Sequence, residues 1–382
     1  MYATLVPKRL GAVFCISLIS FFISCQKSIE SEELTVIQIN LPDEDQQIPF
    51  DDLVKSVRFV PLGRTETNAI QYVDGVYVTQ EGHFIVMDRS NQRIHGFDED
   101  GQPMFTIHSQ GSGPEEYNSI NDVAYDPQNK EILVCSFGSK AILVFDVAGQ
   151  FVRRLPFEDS AKAGYTFIVH GDKLLFDRFG FPTDSNHIGI FDKQTLAFSH
   201  SIIPYPNFPL SGGQSGSIIQ LNQSTFYLPP YDRQIYQWGE DLVPKALYRL
   251  DFGKDQLSDS QLAERSLMGF RDQEEFDQRN PKVNATYLSS ISTQSVLLRY
   301  KKGTDRLKWI SINRSTGEAK PFVNTSSDLE HQFLPRTIYA SDKGELIGVV
   351  ESLKQKQAIA DYMGWNTVDE DANPVLAIYT LK

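Results

Sequence analysis

The sequence predicts an all-β fold, a six-bladed β-propeller of four-stranded blades, and three observations carry that expectation. From about residue 53 onward, short apolar or alternating runs rich in Val, Ile, Phe and Tyr are broken by Gly, Asp, Asn and Pro. That is the punctuation of strands and tight turns. The segments HGFDEDGQPMFTI (95–107), LVFDVAGQFVRRL (143–155), GIFDKQTLAFSHSI (189–202) and QIYQWGEDLVPKALYRL (234–250) align on Phe97, Phe145, Phe191 and Tyr236, spaced by roughly 45 to 48 residues. A repeat of that length carrying four strands is a propeller blade, which needs a neighbour on each side to bury both faces. Finally, one strand, SVRFVPL (56–62), is left over before the first repeat.

Each element follows in order. A fifth unit, KWISINRSTGEAKPFV (308–323), is displaced by about the length of an insert, and a sixth runs from RTIYASDKGELIGVV (336–350) to NPVLAIYTLK at the C-terminus. The leftover strand is expected to join the last blade and close the ring, which removes an exposed edge. Helical periodicity is clear only in DQLSDSQLAERSLMGFRDQEEFDQ, within about 255–280, so one helical insert is expected between blades 4 and 5. Leu257, Leu262, Leu267 and Phe270 would share its apolar face, with Ser258 capping the start.

Composition bounds the function. Of 382 residues, 41% are hydrophobic and 22% charged, which is globular. A net charge of -13 argues against non-specific attraction to nucleic acid or to anionic headgroups. Residues 1–24 read as a signal segment: Lys8 and Arg9 precede the apolar run LGAVFCISLISFFIS, too short for a comfortable span. The run ends in FISC, which resembles the lipobox of bacterial lipoproteins, although Phe22 stands at the usual leucine position. The resemblance implies lipid on Cys25; ordinary secretion with cleavage nearby is the other reading. Residues 25–52, beginning with the polar QKSIESEE after Cys25, are expected to be a tether and N-terminal extension, and residues 53–382 the propeller. With Cys15 in the signal and Cys25 lipidated, Cys135 is the one thiol left, so no disulfide supports the domain. Its apolar surroundings read as a small core side chain rather than a nucleophile.

FIVMDRSNQRIHGFDEDGQPMFTI followed by GSGPEEY resembles an NHL repeat at Asp88, Asn91, Arg93, Ile94, Phe97, Asp98 and Gly101. With the lipobox, the VRFVPL start and the NPVLAIYTLK ending, nearly the whole mature chain is similar to the six-bladed β-propeller lipoproteins of Bacteroidota. The resemblance implies fold and a cell-envelope location, at the outer membrane and either periplasmic or surface-exposed, more than an activity. Asp88 and Arg93 read as a structural pair within a blade. Gly111, Gly113 and Pro114 read as the bend that carries the chain from the first blade to the second.

Motifs for chemistry are sparse. There is no HExxH, CxxC or His pair at helical spacing, so no metal or other cofactor is expected. GGQSGS (212–217) lacks the spacing of a nucleophile elbow, and GSGPEEY lacks the Lys-Ser/Thr of a phosphate loop. DEDAN (369–373) alternates Asp369, Asp371 and Asn373 as a calcium loop does, without the glycine and terminal glutamate. DSA (159–161) matches a short O-glycosylation sequon typical of exported Bacteroidota proteins.

Propeller geometry places the blade-to-blade links and the loops between second and third strands on one face, here the upper face. Those segments read as GSGPEEY, DRFGFPTDSNH (177–187), PPYDRQ (229–234), RYKKGTDR (299–306) and KQKQAIADYMGWNTVDEDANP (354–374). They bring Tyr117, Arg178, Phe179, Phe181, Tyr231, Arg233, Arg299, Tyr300 and Trp365 to it. Arginines among aromatics suit a sugar, a carboxylate or a peptide. Equally, the arginines could pair with Asp177 and Asp232 while the aromatics fill the gaps between blades. Two functions stay open. One is a lipid-anchored, non-enzymatic envelope propeller binding a protein partner, a glycan or a peptide. The other is a metal-dependent lyase or lactone hydrolase, for which the inner strands offer few ligands beyond Asn121, Asp122 and His170.

Overall fold

The strand left over at the front does close the ring. β3 (Val54–Pro61) pairs antiparallel with the last strand of the chain, β26 (Val375–Leu381), from Val54↔Leu381 to Pro61↔Val375. The computed structural model describes residues 34–41, 48–178, 186–205, 217–221, 223–230, 232–323, 338–341, 344–365, 368–369 and 371–382. Cys25 and the signal segment lie outside these residues.

Blade 1 is β4 (Gly75–Val78), β5 (Phe84–Asp88), β6 (Arg93–Phe97) and β7 (Pro103–Ile107). Blade 2 is β8 (Asp122–Asp126), β9 (Glu131–Ser136), β10 (Ala141–Asp146) and β11 (Phe151–Pro156). Blade 3 is β12 (Thr166–His170), β13 (Lys173–Asp177), β14 (Asn186–Asp192) and β15 (Phe198–Pro204). Blade 4 is β16 (Ser217–Leu221), β17 (Ser224–Leu228), β18 (Gln234–Trp238) and β19 (Lys245–Asp251). Blade 5 is β20 (Val283–Ile291), β21 (Ser295–Lys302), β22 (Lys308–Asn313) and β23 (Ala319–Val323). β24 (Ile338–Ala340), β25 (Leu346–Val350), β26 and β3 make blade 6.

The repeat anchors have a structural meaning. Phe97, Phe145, Phe191 and Tyr236 each sit where the pairing of third and fourth strands shifts register. In each blade one fourth-strand residue, Met104, Val152, Ser199 or Leu247, is passed over at the shift. Such a bulge adds local twist; Phe97, Phe145 and Phe191 are buried and fill the core beneath it, and Tyr236 packs partly buried. The turn that follows is held by an Asx bond: Asp98 accepts from Gln102 N, Asp146 from Gln150 N and Asp192 from Thr195 N. Strands buried on both faces follow from ring packing, as in β9, where Ile132 to Cys135 have no solvent exposure.

Three features differ from the sequence expectation. Blades 4 and 5 each gain a fifth strand: β1 (Thr35–Gln38) runs parallel to β19, and β2 (Ile48–Pro49) parallel to β23. Part of the segment read as a tether and extension is therefore pinned to the rim, and Ile37 and Ile39 are buried in the core between blades 4 and 5. The insert is a helix pair, α1 (Asp259–Ser266) and α2 (Phe270–Arg279), started by a full capping box on Ser258 and Gln261. Leu257 and Leu262 pack inward, but Leu267, the last residue of α1's cap, is 65% exposed because the chain turns there toward α2. Finally, the expected loop at 354–374 begins as a helix, α3 (Leu353–Met363), ended by Gly364 at φ +68°.

Phe50 shows how the rim strand is locked. It is fully buried, stacked on Phe322 (5.7 Å) and edge-on to Tyr379 (5.3 Å), joining blades 5 and 6. Phe50→Ala should cost about 3 to 5 kcal/mol by burial lost and cavity left, read as a lower denaturant midpoint with an unchanged slope.

Candidate functional site

Strand direction alternates through each blade, so the links from fourth to first strands and the loops between second and third strands share the upper face. The described upper-face segments include 62–74, 89–92, 108–121, 137–140, 157–165, 252–282, 303–307 and 351–365. The three α-helices among the described residues belong to this set, two in the link from blade 4 to blade 5 and one in blade 6. Over blades 1 to 3 the described upper segments hold no α-helix.

The sequence-derived candidates divide sharply. Tyr117 is buried: its hydroxyl donates to Gln92 O (2.8 Å), its ring fills the core between blades 1 and 2, and burial pushes its pKa to about 12. It offers a ligand no surface. Arg178 is also fully buried, with its guanidinium 5.7 Å from the Phe198 ring. Tyr300 is buried against Phe252, because strand alternation turns it inward. Arg299 lies in β21 rather than a loop, sandwiched between Tyr287 (5.8 Å) and Trp309 (5.6 Å) while donating to Ser289 Oγ (3.0 Å). Burial lowers its pKa. Arg233 is spent on the insert, donating to Leu257 O (3.0 Å) and pairing with Asp259. Trp365 packs half-buried on the core of blades 5 and 6. Phe179, Phe181 and Tyr231 lie outside the described residues.

The structural candidates are placed as follows. Asp88 is buried and accepts from Gln71 N (2.8 Å), Asn91 N (3.1 Å) and Asn91 Nδ2 (3.0 Å). Arg93 faces it in register and donates to Thr67 O (3.3 Å), not to the carboxylate. The Gly111 to Pro114 bend is held by Glu116, whose Oε2 accepts from Gly113 N (2.7 Å) and fills the space a side chain at Gly111 would need. The calcium-loop reading of DEDAN fails. Asn373 is buried and its amide is used up on Gly63 O, Asn68 O and Ile70 N, while Asp371 is exposed and pairs with Arg64.

The three potential metal ligands are also occupied. Asn121 Oδ1 accepts from Phe137 N (2.8 Å). His170 Nε2 meets Gly239 O (3.0 Å), which can only accept, so this nitrogen carries the proton and Nδ1 accepts from Thr225 Oγ1 (2.9 Å). Among the described residues, no three His, Cys, Asp or Glu side chains gather as metal ligands.

Asp122 proves the most constrained of the three. It stands at the upper end of an inner strand and ties three blades: Tyr77 OH of blade 1 donates to Oδ1 (3.3 Å) and Phe167 N of blade 3 to Oδ2 (2.9 Å). Burial raises its pKa from 3.8 to about 7, against the pull of those bonds and of Arg89. The upper face also carries exposed side chains that sequence reading missed. Arg89 is half-exposed, ion-paired with Asp74 (3.1 Å) and bonded to Asn121 O (3.4 Å). Exposed Tyr72 precedes it on the link, and exposed Tyr165 stands edge-on to Phe137 (6.0 Å). The available signal was position: each lies just before an inner strand or just after a second strand.

Residues 34–380 match the family model described as a domain of unknown function, DUF4934. The chain belongs to the DUF4934 family. Two solved structures share its fold. One, a Bacteroides fragilis protein described as exported, is 14% identical, covers 91% of this chain and 100% of its own, and superposes at a TM-score of 0.71. The other, a DUF4221 member from Bacteroides vulgatus, is 12% identical, covers 86% and 97%, and gives 0.55. No curated protein matches this DUF4934 chain in sequence.

The Asp122 carboxyl gives a signed pH dependence. Folded, it keeps its proton up to about pH 7; unfolded, it releases it near its usual 3.8. The folded state therefore binds the extra proton between these values, and this group's contribution to stability falls as pH rises through the window, by up to about 1.4 kcal/mol per pH unit. Asp122→Asn should remove that slope, seen in urea unfolding from about pH 4.5 to about pH 8; an unchanged slope would place the titration elsewhere.

Proposed function

We propose that this protein is an exported, lipid-anchored binding module of the cell envelope, which engages a protein partner, or a peptide or glycan, through its upper face without catalysing a reaction. The anchor reading is supported by the lipobox-like FISC ending at Cys25. Among the described residues, no helix is long and apolar enough to cross a membrane.

The observation that carries the binding reading is where apolar surface is left uncovered. Twelve large hydrophobic side chains are exposed among the described residues. Tyr72, Tyr165, Leu267, Leu307, Leu353, Tyr362 and Met363 belong to upper-face segments, whereas the lower turns expose only Val243. Apolar side chains scattered singly need no explanation, but their concentration on one face favours contact there. Arg89, half-exposed on the same face while paired with Asp74 and bonded to Asn121 O, adds a cation there, a combination suited to a partner with carboxylates and apolar groups.

The test pairs face-specific changes with a control. Tyr165→Asp and Leu267→Asp should each reduce recovery of a crosslinked envelope partner by about tenfold, equivalent to about 1.4 kcal/mol, while Val243→Asp on the lower face leaves it unchanged. Equal recovery from all variants would rule out the upper face. Cys25→Ala should abolish lipid labelling and membrane retention; continued retention would refute the anchor.

A further inference from the structure

The outer edges of the blades are treated unequally. β1 adds to β19 as a parallel strand, with Thr35 to Gln38 opposite Tyr248 to Asp251, all after the bulge residue Leu247. β2 does the same for β23. The outer strand of blade 1, β7, has the same bulge, at Met104, and among the described residues nothing pairs with its outer edge. By the matching registers, Phe105 to His108 occupy the place that Tyr248 to Asp251 hold in blade 4.

Two further observations separate β7 from β11, the outer strand of blade 2. It carries no charged side chain, and its bulge residue Met104 is 46% exposed, whereas β11 places Arg153, Arg154 and Pro156 in the equivalent stretch. Charges and proline on an edge discourage pairing, and β7 has only Pro103 at its start. Beside β7 runs a groove of about 620 Å³, walled by Thr65 to Asn68 on one side and by Met104, Thr106 and His108 on the other. Arg93 closes the upper end of this groove: Ile94 pairs with Ile107, so Arg93 comes opposite His108. Its Nη1 reaches Thr67 O (3.3 Å), and among the described residues its Nε has no hydrogen-bond partner.

We propose that the outer edge of blade 1 takes an extended peptide segment of a partner as a parallel fifth strand over Phe105 to His108, with an acidic side chain of that segment set toward Arg93 and His108. Main-chain hydrogen bonds supply the affinity in such strand addition, and alternate side chains supply the specificity. The two strands that the chain lays on its own blades show that this edge geometry accepts a parallel partner. Thr65 to Asn68 and His108 belong to upper-face segments, but the edge site does not rest on the upper-face reading and stands without it.

The test uses the whole folded protein and two synthetic peptides: the chain's own segment 35–40, Thr-Val-Ile-Gln-Ile-Asn, and the same peptide with Glu in place of its Gln. Amide hydrogen exchange should slow over residues 103–108 with saturating peptide, while residues 151–156 of β11 stay unchanged. The Glu peptide should bind more tightly, and Arg93→Ala should erase that preference. Met104→Lys, at an exposed position, should weaken binding by about tenfold, and Val152→Lys should leave it intact. No protection over 103–108, or equal protection of β11, would overturn the proposal, as would equal affinity of the two peptides.

Discussion

Everything in this molecule depends on one constraint: each sheet is apolar on both faces and is stable only when a neighbour covers each. The ring satisfies this for five junctions by sequence neighbours. The sixth junction brings the chain's beginning to its end through the pairing of β3 with β26. The crossing is tight. Just beyond β3, Gly63 N donates to Gly101 O (2.8 Å), and Gly101, at φ +83°, leaves only 2.2 Å between an added Cβ and Pro61 O. Any other residue there would push the closing strand off the first blade.

The same constraint governs the polar groups. A side chain between two sheets has no water, so each buried polar group must find a partner across the junction. Lys193 and Asp126 form a nearly dry ion pair (2.7 Å) between blades 3 and 2, and Tyr227 donates to Asp177 (3.2 Å) between blades 4 and 3. Asp122 adds bonds from blade 2 to blades 1 and 3, His170 adds one from blade 3 to blade 4, and Asn373 holds the link from blade 6 to blade 1. The raised pKa values of Asp122 and Tyr227 follow from burial at these junctions, which is why they do not mark a catalytic centre by themselves.

Much of the architecture was legible in the residues. The anchors at Phe97, Phe145, Phe191 and Tyr236 repeat because each blade needs a large apolar side chain beside its bulge. Ser258 was legible as the cap that starts the insert, and the structure completes it as a capping box with Gln261. α3 was harder to read: its buried residues are Lys356, Ile359 and Ala360, too few apolar groups for a visible stripe, and its clearest mark is the left-handed Gly364 that ends it. β1 and β2 are short and pair in parallel with strands far along the chain, so no local pattern identifies their partners.

The candidate site shows the boundary most plainly. Residue type and loop position brought Tyr117, Arg178 and Tyr300 to the upper face, but the direction of each side chain put all three in the core. Arg89, Tyr72 and Tyr165 carry no motif and stay exposed. By itself, the sequence determined the blade period, the closing strand and the insert, because these follow from local hydrophobic pattern and turn chemistry. Only the tertiary structure decided which polar and aromatic groups are consumed between blades and which face solvent, because that depends on neighbouring sheets contributed by distant parts of the chain.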